Sequence, residues 1–212
     1  PRPGRTWAFQ MIDQTLSLVV ASVIAGTPLV YAALGELVAE RSGVLNLGVE
    51  GMMLTGAITA FAVVAATGSV WLGVAAAMLA AMALSLLFAV LTVSLQANQV
   101  AIGLALSIFG TGLSAFVGQS YVGTALVVEP SALSAILAGL PLVGRSLGQL
   151  HPLVVLSWVL FAAVWFFLRR TRAGLVVHAV GESPASAFAI GYSVAAIRYA
   201  AVMFGGAMAG AA

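Results

Sequence analysis

The chain has no cysteine, and charged residues make up only 7% of its 212 positions. The absence of cysteine excludes disulfides, thiolate metal sites and cysteine nucleophiles. Soluble domains contain about 25% charged residues. A chain in which 62% of the residues are hydrophobic has too few polar groups to cover a surface in water. The composition therefore predicts a membrane protein.

Several patterns of catalysis and ligand binding are also absent. There is no G-x-x-x-x-G-K-[ST] phosphate loop, so we expect that this chain does not hydrolyse ATP and is not itself an enzyme. His151 and His178 have no metal-ligand spacing and predict no metal site. Lysine is missing, and three of the eight arginines cluster at Arg169, Arg170 and Arg172. Such a local cluster does not form the broad basic surface that nucleic-acid binding requires.

Apolar runs of about 20 residues, the length that a helix needs to cross a bilayer, recur along the chain. They are apolar on nearly every face, which excludes the alternating strands of a barrel. We predict an all-α, polytopic transmembrane helical bundle with about six spans. Residues 1–212 are expected to form a single domain that lacks its C-terminal part, because the chain ends within an apolar run. The predicted spans are Leu16–Val38, Val44–Thr67, Trp71–Leu95, Val100–Val117, Pro152–Leu168 and Tyr199–Ala212.

Arginines indicate the orientation of these spans. The connection 169–198 contains four arginines, and the positive-inside tendency places it in the cytoplasm. The arginines are also expected to contact anionic membrane lipid. Counting spans backward leaves the long connection 118–150 outside, where residues 133–140 are predicted to form a short helix on the membrane face.

Two polar residues interrupt the second predicted span near its start. If the helix runs from Val44, Asn46 and Glu50 lie one turn apart on the same face. A carboxylate at the bilayer centre costs about 2.5 kcal/mol or more, so Glu50 is expected to face the bundle interior or water. The pair either lines a translocation pathway or joins neighbouring helices through hydrogen bonds.

The turn before the fourth span contains Asn98 and Gln99. These residues either gate the inner end of a pathway or satisfy the turn and face water. The fourth span is rich in small residues, which predict a packed, central helix. Gly206 and Gly210 form a G-x-x-x-G pattern that predicts close helix contact in the last span.

The end of the 169–198 connection shows the start and stop signals of a short helix. Gly181 is expected to end one structured piece, Ser183 to cap the next and Pro184 to occupy its first position. Gly191 then ends it. The residues in between are mostly small, so we predict an exposed helix whose small-residue surface binds another protein.

Three segments resemble the permeases of ABC importers that serve nucleosides, simple sugars and branched-chain amino acids. Residues 181–191 read G-E-S-P-A-S-A-F-A-I-G, which is similar to the family's G-E-N-P-x-A-A-x-x-x-G segment. Residues 40–51 resemble E-R-S-G-V-x-N-x-G-x-E-G of the nucleoside and simple-sugar branch. Residues 97–103 resemble its A-N-Q-V-x-x-G segment. The three segments together identify the chain as a member of this family.

The resemblance implies a permease subunit in a bacterial or archaeal plasma (inner) membrane, translocating a nucleoside or simple sugar. It implies a second permease subunit, ABC ATPase subunits that use the ATP, an extracytoplasmic substrate-binding protein, and no cofactor bound by this chain. The substrate pathway would then contain Asn46, Glu50, Asn98 and Gln99. Coupling to the ATPase would involve Gly181, Glu182, Ser183, Pro184, Ala187 and Gly191.

Two alternatives stay open from the sequence. One is a branched-chain amino-acid permease of the same family. The other is an ion- or proton-coupled secondary transporter, in which Glu50 would carry the ion or the proton.

Overall fold

The computed structural model describes residues 3–126 and 151–212, and the regular structure in these ranges is helical. The predicted all-α fold is confirmed, while the predicted short helix at 133–140 lies outside the described residues. The elements are α1 (Pro3–Arg41), α2 (Val49–Thr67), α3 (Val70–Ala89) followed by a π-helical turn (Val90–Ser94), α4 (Gln99–Gly118) followed by a 3₁₀ turn (Gln119–Tyr121), α5 (Pro152–Arg170), α6 (Arg172–Glu182), α7 (Pro184–Ala189) and α8 (Val194–Ala211).

Six helical segments in the described ranges are long and apolar enough to cross a membrane. Their number agrees with the predicted count, and the chain is a multi-pass membrane protein. The segments are Gln14–Arg41, Val49–Thr67, Val70–Ser94, Gln99–Tyr121, Pro152–Arg170 and Val194–Ala211.

The predicted start of the second span is wrong, because α2 begins at Val49 rather than at Val44. The Asn46 side chain accepts a hydrogen bond from the Gly48 N–H at 2.9 Å. Such a local bond offers the backbone a turn in place of a helix. The residues before Val49 are therefore held in an irregular conformation.

The connection 169–198 contains two helices, where the sequence predicted a structured piece ending at Gly181 and then one short helix. Thr171 caps α6, since its hydroxyl accepts the Gly174 N–H at 3.0 Å. Gly174 also packs against the Phe167 carbonyl of α5, a contact that leaves no room for a side chain. The cap residue before an apolar stretch is the sequence signal for α6. The connection is correspondingly shorter at its other end, because α8 begins at Val194 rather than at Tyr199.

Contacts divide the chain into two compact units. One consists of Pro1–Pro28 and Glu129–Leu160, and the other consists of Leu29–Val128 and Phe161–Ala212. The second, larger unit contains all of the residues that the sequence singled out as candidate sites.

Small residues let α8 approach three other helices of the larger unit. Gly206 packs against the Ser85 side chain of α3, and a Cβ built on Gly56 of α2 would lie 3.0 Å from the Cα of Gly210. A Cβ on Gly35 of α1 would lie 2.9 Å from a carbonyl oxygen of α8. The close contact predicted from the G-x-x-x-G pattern is confirmed.

Within this chain, the fourth span packs closely on one side only. Only 17% of the apolar stretch around α4 is buried, against 39% of that in α8. Gly103 and Gly110 line the side of α4 that packs against Leu47 and Gly51. Its other side carries large apolar residues on the surface, such as Phe116. Small residues therefore mark one close contact, with α2, rather than a helix surrounded on all sides.

Candidate functional site

Residues 42–48, which we call the 42–48 segment, form an irregular connection between α1 and α2. At its start the Gly43 N–H donates to the Glu40 carbonyl at 2.9 Å, and Gly43 has a φ of +83°, which favours glycine. The Ser42 hydroxyl donates to the Ala39 carbonyl at 2.7 Å. Both residues at this turn are thereby held against the end of α1.

Side chains from α1 and α4 satisfy the backbone of the 42–48 segment. Irregular backbone near a membrane interior needs such partners, because lipid supplies no hydrogen bonds. The bonds run from Asn46 N–H to Glu36 Oε1 at 2.8 Å, from Leu45 N–H to Gln99 Oε1 at 2.8 Å and from the Ser107 hydroxyl to the Leu47 carbonyl at 2.9 Å.

Asn46 is buried, with 2% of its surface exposed. Its Oδ1 accepts the Gly48 N–H, and its Nδ2 donates to Met52 Sδ at 3.6 Å. Both ends of the amide are thus engaged within the chain. This geometry fits the structural alternative, in which Asn46 holds the connection together.

Glu50 lies in the first turn of α2 and is exposed on the surface of the chain. Because Asn46 precedes the helix, the predicted arrangement of the two side chains on one helical face is wrong. The carboxylate of Glu50 and the amide of Asn46 therefore do not form a polar stripe.

Asn98 and Gln99 have different surroundings although they are adjacent. Asn98 is exposed and caps α4, with its Oδ1 accepting the Ala101 N–H at 3.1 Å. Gln99 is half-buried and bonds the 42–48 segment through Leu45. The structure therefore brings Gln99 and Asn46 to the same connection and leaves Asn98 in a capping role.

Glu36 is a site residue that the sequence reasoning missed. It lies near the end of the predicted first span, is half-buried and accepts a hydrogen bond from the Asn46 N–H. Its Oε2 is buried without a hydrogen-bond partner among the described residues. The signal was an acid before the end of an apolar run, a position that in membrane helices favours the bundle interior.

The capping signals predicted for α7 are confirmed. The Ser183 side chain accepts the Ser186 N–H at 3.4 Å, and Pro184 occupies the first turn. Helix α7 ends at Ala189, and Gly191 has a φ of +95°. The preceding helix, α6, ends at Glu182, one residue after the predicted end at Gly181.

The predicted small-residue surface of α7 is present only in part, because Ala185, Ser186 and Ala189 are exposed but other residues depart from it. Ala187 is buried, with 2% exposed, and so does not lie on an exposed docking surface. Phe188 and Ile190 are 72% and 71% exposed. Every third or fourth residue of a helix faces the same side, so the buried position of Ala187 turns its larger neighbours outward. The exposed surface of α7 and of the residue after it therefore combines small residues with one aromatic and one aliphatic side chain.

Helix α6 is in direct contact with the start of the 42–48 segment. Gly181 packs against the Arg41 carbonyl, and a Cβ on Gly43 would lie 3.3 Å from the Cα of Gly181. From α8, Arg198 Nε donates to the Ser42 carbonyl at 3.2 Å. The two segments that the sequence singled out separately thus form one connected structure.

A short polar chain extends along the same contact. The Arg41 guanidinium donates to His178 Nε2 at 2.8 Å, and His178 Nδ1 lies 3.3 Å from Glu182 Oε1. His178, for which the sequence predicts no metal site, thus joins α1 to α6. Within residues 3–126 and 151–212, no group of three or more His, Cys, Asp or Glu side chains is arranged to hold a metal ion.

Comparison with known protein families matches residues 18–212 to the family described as the permease component of the branched-chain amino acid transport system. The chain belongs to this family. The resemblance predicted from three short segments is confirmed over nearly the full chain. The family description is that of a permease component of a transport system, which agrees with the prediction that this chain is not itself an enzyme.

Curated relatives extend the comparison. The chain is 45% identical over 199 residues to the putative glucose ABC transporter permease protein TsgC13 of Haloferax volcanii, covering 92% of this chain and 60% of the relative. It is 33% identical to the guanosine ABC transporter permease protein NupQ of Bacillus subtilis, covering 94% and 66%. It is 29% identical to the nucleoside ABC transporter permease protein NupC of Lactococcus lactis, covering 94% and 67%. These names agree with the predicted nucleoside and simple-sugar branch.

The chain spans about 60% of the length of the first of these relatives. No solved structure matches it significantly.

Proposed function

We propose that this chain is part of the permease subunit of an ATP-driven importer that moves a nucleoside or a simple sugar across the plasma membrane of a bacterium or archaeon. The family match and the names of its sugar and nucleoside relatives support this function. The family description mentions branched-chain amino acids, and a branched-chain amino-acid permease is therefore the second candidate.

The proposed complex contains ATPase subunits that hydrolyse the ATP, a second permease subunit and an extracytoplasmic substrate-binding protein. In the proposed orientation the 169–198 connection faces the cytoplasm, where its arginines favour placement. Helix α7 then faces the ATPase, and the exposed Phe188 near its end and Ile190 just after it supply the apolar contact. Aromatic side chains of this kind are common anchors in protein interfaces.

The observation that supports a coupling role is the contact between α6 and the start of the 42–48 segment. A displacement of α7 by the ATPase reaches that segment through Gly181, which packs directly on Arg41 and Gly43. The segment also contacts α4 through Gln99. We therefore propose that the coupling residues Gly181 to Gly191 act on the backbone of the 42–48 segment.

Among the residues predicted for the substrate pathway, Glu50 is the one we propose to contact the substrate route. It is exposed on the surface of the chain, close to the irregular segment that the coupling helices contact. Asn46 and Gln99 support this part of the pathway by holding the 42–48 segment, and Asn98 supports it by capping α4.

Uptake by the full-length complex in vesicles tests the proposal. We expect ATP-dependent accumulation of labelled guanosine or glucose, and no accumulation of labelled leucine. In the same assay Glu50→Gln should lower uptake about tenfold, which corresponds to about 1.4 kcal/mol, whereas Glu40→Gln, an exposed carboxylate in the last turn of α1, should not. Accumulation of leucine alone would support the amino-acid permease instead. Accumulation driven by an ion gradient without ATP would contradict an ATP-driven importer.

A further inference from the structure

A cavity of about 510 Å³ lies where α1, α5 and α6 meet, within the larger unit. Its size falls in the range of about 300 to 1,000 Å³ that is usual for sites of small ligands. Most of its wall is apolar, and its basic groups are near the ends of the two spans. The lining residues are Leu34, Leu37, Arg41, Phe161, Val164, Trp165, Leu168, Arg169 and His178.

Two arginines stand at the membrane boundary of this cavity. Arg41 is the last residue of α1, and Arg169 lies in the last turn of α5. The Cζ atom of Arg169 is 6.0 Å from the centre of the Trp165 ring, a cation–π distance. Trp side chains at the ends of spans commonly lie at the level of lipid headgroups. The cavity therefore combines a basic rim with an apolar wall at headgroup depth.

The hydrogen bonds around Arg41 leave its positive charge in place. Its guanidinium donates to His178 Nε2 at 2.8 Å, and His178 Nδ1 lies 3.3 Å from Glu182 Oε1. In the described part of the chain, no carboxylate forms a salt bridge with Arg41 or Arg169. Glu182 contacts the remote side of the histidine ring, and its side chain is 75% exposed.

We propose that this cavity binds an anionic phospholipid, with the phosphate between Arg41 and Arg169 and an acyl chain along the apolar wall of α1 and α5. Charge complementarity selects the anionic headgroup, and basic pockets between spans bind such lipids. The apolar wall favours a lipid over a soluble phosphate, because Leu34, Leu37 and Phe161 offer contact to a hydrocarbon chain and nothing to a hydrated anion. This site is separate from the proposed transport pathway.

Quenching of Trp165 by brominated lipid tests the proposal in the full-length protein reconstituted in vesicles. Brominated phosphatidylglycerol should quench the Trp165 signal more strongly than brominated phosphatidylcholine does. The part of the quenching that is lost in a Trp165→Phe variant is assigned to Trp165. Arg41→Gln and Arg169→Gln should each lower the preference for phosphatidylglycerol about fivefold. Glutamine at position 41 removes the charge and keeps a polar N–H donor on a shorter side chain.

Arg170→Gln and Arg172→Gln are matched controls, since both arginines are exposed neighbours that do not line the cavity. They should leave the preference unchanged. An equal loss in these controls would mean general attraction of lipid to the arginine cluster and would overturn the site. Displacement of the brominated lipid by inorganic phosphate or glycerol phosphate would assign the cavity to a soluble anion. Quenching by neither lipid would mean that protein covers this face, and would also overturn the proposal.

Discussion

Asn46 and Glu50 are four positions apart in the sequence but differ in burial and in bonding. Asn46 is almost fully buried and uses both ends of its amide. Glu50 is exposed on the chain surface. A buried polar group that loses its partner costs free energy, whereas an exposed one retains water or a ligand. The stability of the connection therefore depends on Asn46, while the Glu50 carboxylate stays accessible at the chain surface.

The first prediction compares two Asn→Ala changes in the purified full-length protein. Asn46→Ala should lower the free energy of unfolding by about 2 to 3 kcal/mol, because it leaves the Gly48 N–H without its acceptor and opens a small cavity. Asn98→Ala removes an exposed helix cap and should cost about 1 kcal/mol. Thermal unfolding in detergent measures both.

Both variants replace asparagine by alanine. The difference between their losses in free energy of unfolding therefore measures the effect of burial and hydrogen bonding. A loss for Asn98→Ala as large as that for Asn46→Ala would contradict the structural role of Asn46. Normal stability of Asn46→Ala together with loss of uptake would return Asn46 to the substrate pathway.

At the scale of elements, α2 and α4 approach most closely where two glycines meet. Gly110 of α4 packs on the backbone of Gly51, at a contact that leaves no space for a Cβ. Gly112 lies on the same helix, but a Cβ built there meets nothing within 4 Å. Close approach of helix backbones through small residues is a main source of stability in membrane bundles.

The second prediction uses this pair. Gly110→Ala should lower the free energy of unfolding by about 1 to 3 kcal/mol, because the two helices must separate to accept the methyl group. Gly112→Ala should be neutral or stabilising by up to about 1 kcal/mol, since alanine favours the helix and has space. Thermal unfolding again provides the measurement. Equal changes in the free energy of unfolding for Gly110→Ala and Gly112→Ala would contradict the close contact between α2 and α4.

At the scale of the whole molecule, contacts join α6 and α8 to the turn at the end of α1, where the 42–48 segment begins. Gly181 of α6 packs on the turn that ends α1, and Arg198 of α8 bonds the Ser42 carbonyl. Beyond this contact, α7 presents Phe188 to the surface. A partner that binds Phe188 therefore acts on an element connected to the 42–48 segment.

The third prediction concerns the proposed ATPase contact. Phe188→Ala should weaken binding of the ATPase subunit by about 2 kcal/mol, or about 30-fold, as expected for a buried aromatic anchor. Uptake should fall in parallel. Affinity measured by titration of the purified ATPase onto the permease complex gives the size of the loss.

Phe116→Ala is the matched control, because Phe116 is 73% exposed on α4, far along the helix from the Gln99 end. It should retain wild-type affinity for the ATPase. Unchanged affinity in Phe188→Ala would remove Phe188 from the interface, and an equal loss in both variants would indicate a general effect on folding.

Much of the fold follows from local properties of the chain. The length of each apolar run predicts the number of spans, and the Ser183, Pro184 and Gly191 signals predict α7. These features depend on residues adjacent in sequence, and the structure confirms them. The predicted start of α2 is wrong because the Asn46 side chain bonds the Gly48 N–H and so competes with helix formation. An apolar pattern in the sequence does not reveal that competition.

By itself, the sequence determined the membrane class, the six spans and the family, since these depend on composition and short motifs. Only the tertiary structure decided that Asn46 is buried, that Glu36 bonds the 42–48 segment and that Phe188, rather than Ala187, faces outward. It also decided that Arg41 and Arg169 share one cavity although they are remote in sequence. The physical reason is that burial depends on which helices pack together, and that packing is set by contacts between residues distant along the chain.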